Sequence, residues 1–383
     1  MKRIIYGLLS LFFIITLTSC ENLPQVSAED RLFLDINLEF LGEYELPKQI
    51  FQETKFGGLS GLTYDRQKDL FYAISDDRQN PRFYTLKVNL KSTQNNTPQI
   101  DAINIENVTL LKDEKGEIYT PTSIDPEGIS LTARATVFIS SEGDNRINIA
   151  PFIGEFDVNT GQVKNYLKLP QRYLLPAVGE TDTQPRGIQN NFSFESLAVG
   201  YTSTLKDDPF RLFTAIENPL LQDISQEKSQ KELPLRFLHY VINPIGDPVI
   251  VSENLYLLDS APSGTIYNGL SDITTLEKEG YFISLERNAG LAGFGAKLFQ
   301  VVDSNSTDTS KISSFKNGVE GVEPLRKKLL LNLDDLEIDL DNLEGLAFGP
   351  KLPDGSQTLL LVSDDNFSDL QITQFLLFKV KIA

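Results

Sequence analysis

From residue 56 onward the chain alternates between short apolar runs and clusters of Gly, Pro, Asn and Asp. Runs such as residues 70–75, 136–141 and 358–362 are too short for helices and rich in aromatic and β-branched residues, so they predict strands. Five segments share one plan: an acid or serine, a small residue and a Leu or Ile, followed by an apolar run that ends in an acid. They cover residues 57–77, 125–144, 193–218, 269–288 and 342–366. With Ser60, Glu127, Glu195, Ser271 and Glu344 as equivalent points, the steps are 67, 68, 76 and 73 residues. Further apolar runs at residues 82–88, 152–158, 235–241 and 296–302 add a third strand to the units. Repeated units of three or four antiparallel strands predict an all-β fold, a β-propeller, in which radial packing removes long exposed edges. A blade usually needs about 40 to 50 residues. The surplus favours six blades, the sixth drawn from residues 248–251 and 254–258, with five blades as the alternative. The last strand, residues 375–380, is expected to pair with an early strand, either residues 32–36 or residues 36–44, and close the ring.

The start of the chain reads differently. Met1, Lys2 and Arg3 precede an apolar core over residues 4–17, the pattern of a secretory leader and shorter than the about 20 residues a spanning helix needs. Leu17-Thr18-Ser19-Cys20 then resembles the bacterial lipobox, and Cys20 is the only cysteine. The expected organisation is a lipoprotein signal peptide over residues 1–19, a lipidated tether over 20–30 and the propeller over 31–383. The domain would sit in the bacterial cell envelope, in the periplasm or at the cell surface, joined to a membrane through lipid on Cys20. Without a second cysteine no internal disulfide forms. The net charge of −18, deeper still once Lys2 and Arg3 are removed, argues against nucleic acid as a partner.

In a propeller, equivalent side chains converge on the axis. Asp76, Glu142, Glu217, Glu286 and Asp364 end the second strand of each unit, with Glu127, Glu195 and Glu344 on the strand before. Clustered carboxylates repel unless cations or donors compensate. Hard oxygen ligands of this kind suit Ca²⁺, which takes 6 to 8 of them. Arg78, Arg146 and Arg287 follow the same acids, and guanidinium groups make bidentate contacts with phosphate oxygens. His239 is the only histidine, in an apolar run, and no Gly-x-Ser-x-Gly elbow, P-loop or dinucleotide fingerprint occurs.

The blocks Gly58-Leu59-Ser60-Gly61-Leu62, Asp125-Pro126-Glu127-Gly128-Ile129, Ser193-Phe194-Glu195-Ser196-Leu197 and Asn342-Leu343-Glu344-Gly345-Leu346 resemble the bacterial phytase-like family, named for esterase-like activity of phytase. The resemblance runs from about Phe56 to Lys379. It implies an exported propeller that hydrolyses phosphoric esters with calcium. The strand-end acids Asp76, Glu142, Glu217, Glu286 and Asp364 would hold metal, and Glu127, Glu195 and Glu344 would form the catalytic centre. Arg78, Arg146 and Arg287 would contact the phosphate of a small-molecule ester. Ser60 and Ser271 stand where the other units carry Glu, which breaks the symmetry of such a ring. The alternative is a non-catalytic, lipid-anchored binding or scaffold propeller whose ions only stiffen it.

Overall fold

The computed structural model describes residues 32–93, 97–176, 185–200, 205–225 and 232–382. The expected leader, lipidation at Cys20 and the tether lie outside the described residues.

The chain enters as β1 (Ile36–Leu46) and makes a short hairpin of β2 (Ile50–Phe51) and β3 (Thr54–Lys55). Blade one follows as β4 (Leu59–Asp65), β5 (Leu70–Ser75), β6 (Arg82–Ser92) and β7 (Pro98–Leu110). Blade two is β8 (Pro126–Leu131), β9 (Thr136–Ser141), β10 (Phe152–Asp157) and β11 (Val163–Tyr166). Blade three is β12 (Phe194–Gly200), β13 (Phe210–Ile216), β14 (Leu233–Ile242) and β15 (Val249–Leu258). Blade four is β16 (Thr265–Thr275), β17 (Tyr281–Gly290), β18 (Gly293–Val302) and β19 (Arg326–Asn332). Blade five takes β20 (Asn342–Lys351), β21 (Gln357–Asp364) and β22 (Thr373–Ile382), and its fourth strand is β1.

Each blade is a four-stranded antiparallel sheet. The first strands of blades one to five pack on one another in cyclic order around an axis. This is a five-bladed β-propeller, so the sixth blade is corrected: Val249–Leu258 pairs with β14 from Leu233 to Val241 as the outer strand of blade three. The surplus length goes into long outer strands and connections. Ile36 pairs with Ile382 and Leu46 with Thr373, so the first strand clasps the last and the ring closes as expected.

Side chains alternate across a strand, and here both faces are covered. In β5, Phe71 and Ala73 join Leu360, Phe375 and Leu377 of blade five, whereas Tyr72 and Ile74 join Ile129, Val137 and Ile139 of blade two. A strand buried on both faces reads as an unbroken apolar run, which is why the second strands stood out in sequence. Turns are fixed by acids: Asp65 Oδ1 accepts the N–H of Gln67 and Lys68 at 2.9 and 3.1 Å, and Asp157 Oδ1 those of Asn159 and Thr160 at 3.0 and 3.1 Å. Residues 35–383 form one compact unit that holds every blade, the closing strand and the apolar clusters of the described residues.

Candidate functional site

Every inner strand carries a β-bulge beside the axis. Pairing skips one step between Leu59 and Gly61, Pro126 and Ile129, Phe194 and Ser196, Leu270 and Asp272, and Leu343 and Gly345. The residues left over are Ser60, Glu127 with Gly128, Glu195, Ser271 and Glu344, the repeat points of the sequence. A bulge re-aims the side chain that carries it. All six are buried. The small residue that follows Glu127 has a steric reason: a Cβ on Gly128 would lie 2.5 Å from the Glu195 carbonyl oxygen of the next blade. Where serine replaces glutamate, the Ser60 hydroxyl donates to the Glu127 carbonyl at 2.9 Å, stitching blades together instead of adding charge.

The second strands deliver the other half of the ring. Ser75, Ser141, Ile216 and Ser363 pair with the residue just before each bulge, and the acid comes next: Asp76, Glu142, Glu217 and Asp364. In blade four the residue paired with Leu270 is Glu286, so the position equivalent to the acids is Arg287. Because the side-chain period of a strand is two, Glu286 faces the opposite way. Its carboxylate accepts the Tyr256 hydroxyl at 2.6 Å and the Asp259 N–H at 3.1 Å, and pairs with Lys327. Glu286 is therefore placed apart from the ring, and an arginine completes it.

Arg287 binds Glu217 Oε1 at 3.0 Å and Asn342 Oδ1 at 2.6 Å, and donates to Glu344. Asn342 Nδ2 in turn donates to Glu344 at 2.8 Å. Oxygens of Asp125, Glu127 and Glu142 lie within 4.8 Å of one another, as do those of Glu142, Glu195 and Glu217, so Glu142 is common to both groups. Burial raises the pKa of Glu127, Glu142, Glu195, Asp76 and Asp364, and neighbouring carboxylates add to it. Burial is also the main cause at Asp125, pushed up to about 6, and at Glu344, pushed up to about 8, with Arg78 and Arg287 respectively opposing the rise. Four oxygens in this ring, Asp76 Oδ1, Glu195 Oε2, Glu217 Oε2 and Asp365 Oδ2, are buried without a hydrogen-bond partner. Oxygen-only ligands with unmet valence fit a hard divalent cation. Backbone shape serves the same crowding: Gly58 has φ 62°, and a Cβ there would fall 2.2 Å from Asp76 Oδ1.

Toward solvent the acids meet the remaining arginines. Arg78 reaches Asp144 Oδ2 at 2.9 Å and Asp125 Oδ1 at 3.4 Å. Arg146, with its side chain two-thirds exposed, grips both Asp144 oxygens at 3.0 and 2.7 Å. Hydrogen bonds from Arg146 and Arg78 hold Asp144 well below the usual carboxylate range. Asp125, Asp144, Asp365 and Asn342 were missed as site residues. Asp125 and Asn342 stood inside the quoted blocks, and Asp365 doubled Asp364. His239 stacks on Phe213 at 4.5 Å with Arg211 beside it at 2.9 Å, a packing role.

The sequence model of the phytase-like family, described as esterase-like activity of phytase, matches residues 54–367. This chain belongs to that family. None of the curated proteins matches it. Among solved structures, this family member is similar to the major allergen Mala s 1 of Malassezia sympodialis, with 12% identity, a TM-score of 0.41 and coverage of 88% of this chain and 96% of that one. It is similar to an endo-arabinase from Bacteroides thetaiotaomicron, with 12% identity, a TM-score of 0.41 and coverage of 88% and 99%. A GH32 β-fructofuranosidase of Bombyx mori gives 11% identity, a TM-score of 0.43 and coverage of 92% and 65%.

Proposed function

We propose that this phytase-like family member is a calcium-dependent hydrolase of phosphoric esters, its cation held by the axial carboxylates. The observation that carries this reading is the set of four buried, unpartnered carboxylate oxygens in a ring with one arginine. Bound calcium supplies positive charge that offsets carboxylate repulsion and orients phosphate oxygens. Glu142 would hold it, either with Asp125 and Glu127 or with Glu195 and Glu217, the two groups whose oxygens lie within 4.8 Å of one another, and Asp76 and Asp364 would add negative charge around it. Glu127, Glu195 and Glu344, on the bulges, would complete the centre, and one of them would take the proton of the attacking water as the P–O bond to the alcohol breaks and return it to the leaving alkoxide oxygen. Arg287 keeps Glu217 and Glu344 in place, while Arg78 and Arg146 on the solvent side receive the phosphate of the ester.

The test is phosphate release from a panel of phosphoric esters, with and without calcium, repeated in Glu127→Gln and Glu195→Gln. Calcium-dependent turnover lost in both variants supports the reading. Burial of the ring favours a second one, a binding or scaffold propeller stiffened by its cation: calcium would then raise the melting temperature while no ester is turned over.

We further propose that the chain is exported and anchored in the bacterial cell envelope by lipid on Cys20. Membrane association that survives in the parent and disappears in Cys20→Ser supports this; unchanged association overturns it.

A further inference from the structure

Of the four unpartnered oxygens, Glu195 Oε2 and Glu217 Oε2 belong to a group around Glu142, whereas Asp76 Oδ1 and Asp365 Oδ2 belong to neither of the two converging groups. They sit instead at the seam between blades five and one. Asp76 follows β5 of blade one, and Asp365 follows Asp364 at the end of β21 in blade five. Both lie against the Gly57-Gly58 backbone that leads into β4. Asp365 Oδ1 accepts the Gly58 N–H at 2.9 Å and the Phe367 N–H at 3.1 Å, which fixes the carboxylate. A Cβ on Gly57 would lie 2.9 Å from Asp365 Oδ2, and one on Gly58 would lie 2.2 Å from Asp76 Oδ1. The two orphan oxygens therefore take up the space that two consecutive glycines, with φ 148° and 62°, leave open.

Charge at this seam is one-sided. Asp364 and Asp365 are buried, and Asp76 feels the charge of both. Among the described residues no lysine or arginine pairs with any of the three. Arg82 is held by Asp77 at 2.5 Å and by the Tyr84 hydroxyl and Lys55 carbonyl at 2.6 Å each. Lys55 turns to the Phe367 carbonyl at 2.8 Å. The Phe367 ring covers the glycines, 2.6 Å from where a Gly58 Cβ would stand, with Lys55 and Arg82 over it at 5.4 and 5.8 Å. A carboxylate oxygen buried without a donor has lost its water and gained nothing in return. A hard divalent cation supplies both the contact and the charge.

We infer that Asp76 and Asp365 hold a second divalent cation of the calcium type, separate from the one at Glu142, with Asp364 adding charge. Covered by Phe367, it is a structural ion. It pins blade five to blade one where β1 closes the ring, whether or not any ester is hydrolysed.

The full chain, in detergent and stripped with chelator, is titrated with calcium by calorimetry. Two ions per chain are expected. Asp365→Asn keeps an acceptor for Gly58 and Phe367 but removes the charge, and should weaken one ion at least about tenfold. Glu142→Gln should weaken the other. Calcium should also raise the melting temperature of Asp365→Asn less than that of the parent. Should Asp365→Asn not fold, Asp76→Asn carries the same test. An unchanged count in Asp365→Asn overturns the inference. So does a parent with a single ion that only Glu142→Gln removes, which leaves the hydrolase reading intact. A single ion removed only by Asp365→Asn supports the seam site and overturns the ion at Glu142, and a parent that binds no calcium overturns both.

Discussion

Arg287 stands where the other four blades carry an acid, and its two carboxylate partners belong to neighbouring blades three and five. It is the ring's resident cation, and removing one partner of a buried ion pair costs about 3–5 kcal/mol because the other charges remain. Arg287→Gln is expected to lose stability of that order in chelator, with calcium restoring much of it; denaturant unfolding with and without the ion checks this. The remaining acids set a pH dependence. An acid with a raised folded pKa contributes stability that is whole below its ordinary value near about 4 and is lost as pH rises through its folded value. With Asp125 at about 6 and Glu344 at about 8, the cation-free protein should melt lower at pH 8 than at pH 5. Calcium, which favours the ionised acids, should reverse that slope. A melting series across pH in chelator and in calcium decides it.

At the scale of elements, the bulge is what turns a repeated sequence block into a converging site. Gly128→Ala keeps the chemistry and denies the close approach to the Glu195 carbonyl, so it should cost about 1–3 kcal/mol and weaken calcium-dependent stabilisation; thermal melts with and without the ion read both. The blocks were legible because the same steric demand recurs in each blade, leaving Glu, Ser and Gly at fixed places. Register was not. Glu286 and Arg287 are adjacent in sequence, and only the pairing of Leu270 with Glu286 reveals which of them faces the axis. The count of blades failed for a related reason: Val249–Leu258 has the composition of any strand, and its pairing with β14 is a long-range fact. A cavity of about 960 Å³ lined by Leu62, Leu131, Leu197, Ile273 and Leu346 of the five inner strands left no sequence signal, since each of these residues reads as ordinary core.

For the molecule as a whole, closure rests on β1. Deleting residues 36–46 would leave β22 with an unpaired edge and expose Phe375 and Leu377 where Leu41 and Leu46 covered them. Such a variant is expected to associate or unfold, measured as loss of the monomer on size exclusion and of the cooperative melt. The clasp also imposes an order on synthesis. Its two halves are separated by almost the full length of the polypeptide, and no earlier strand can stand in for the later one. A growing chain therefore has to reach its final residues before the circle can be joined.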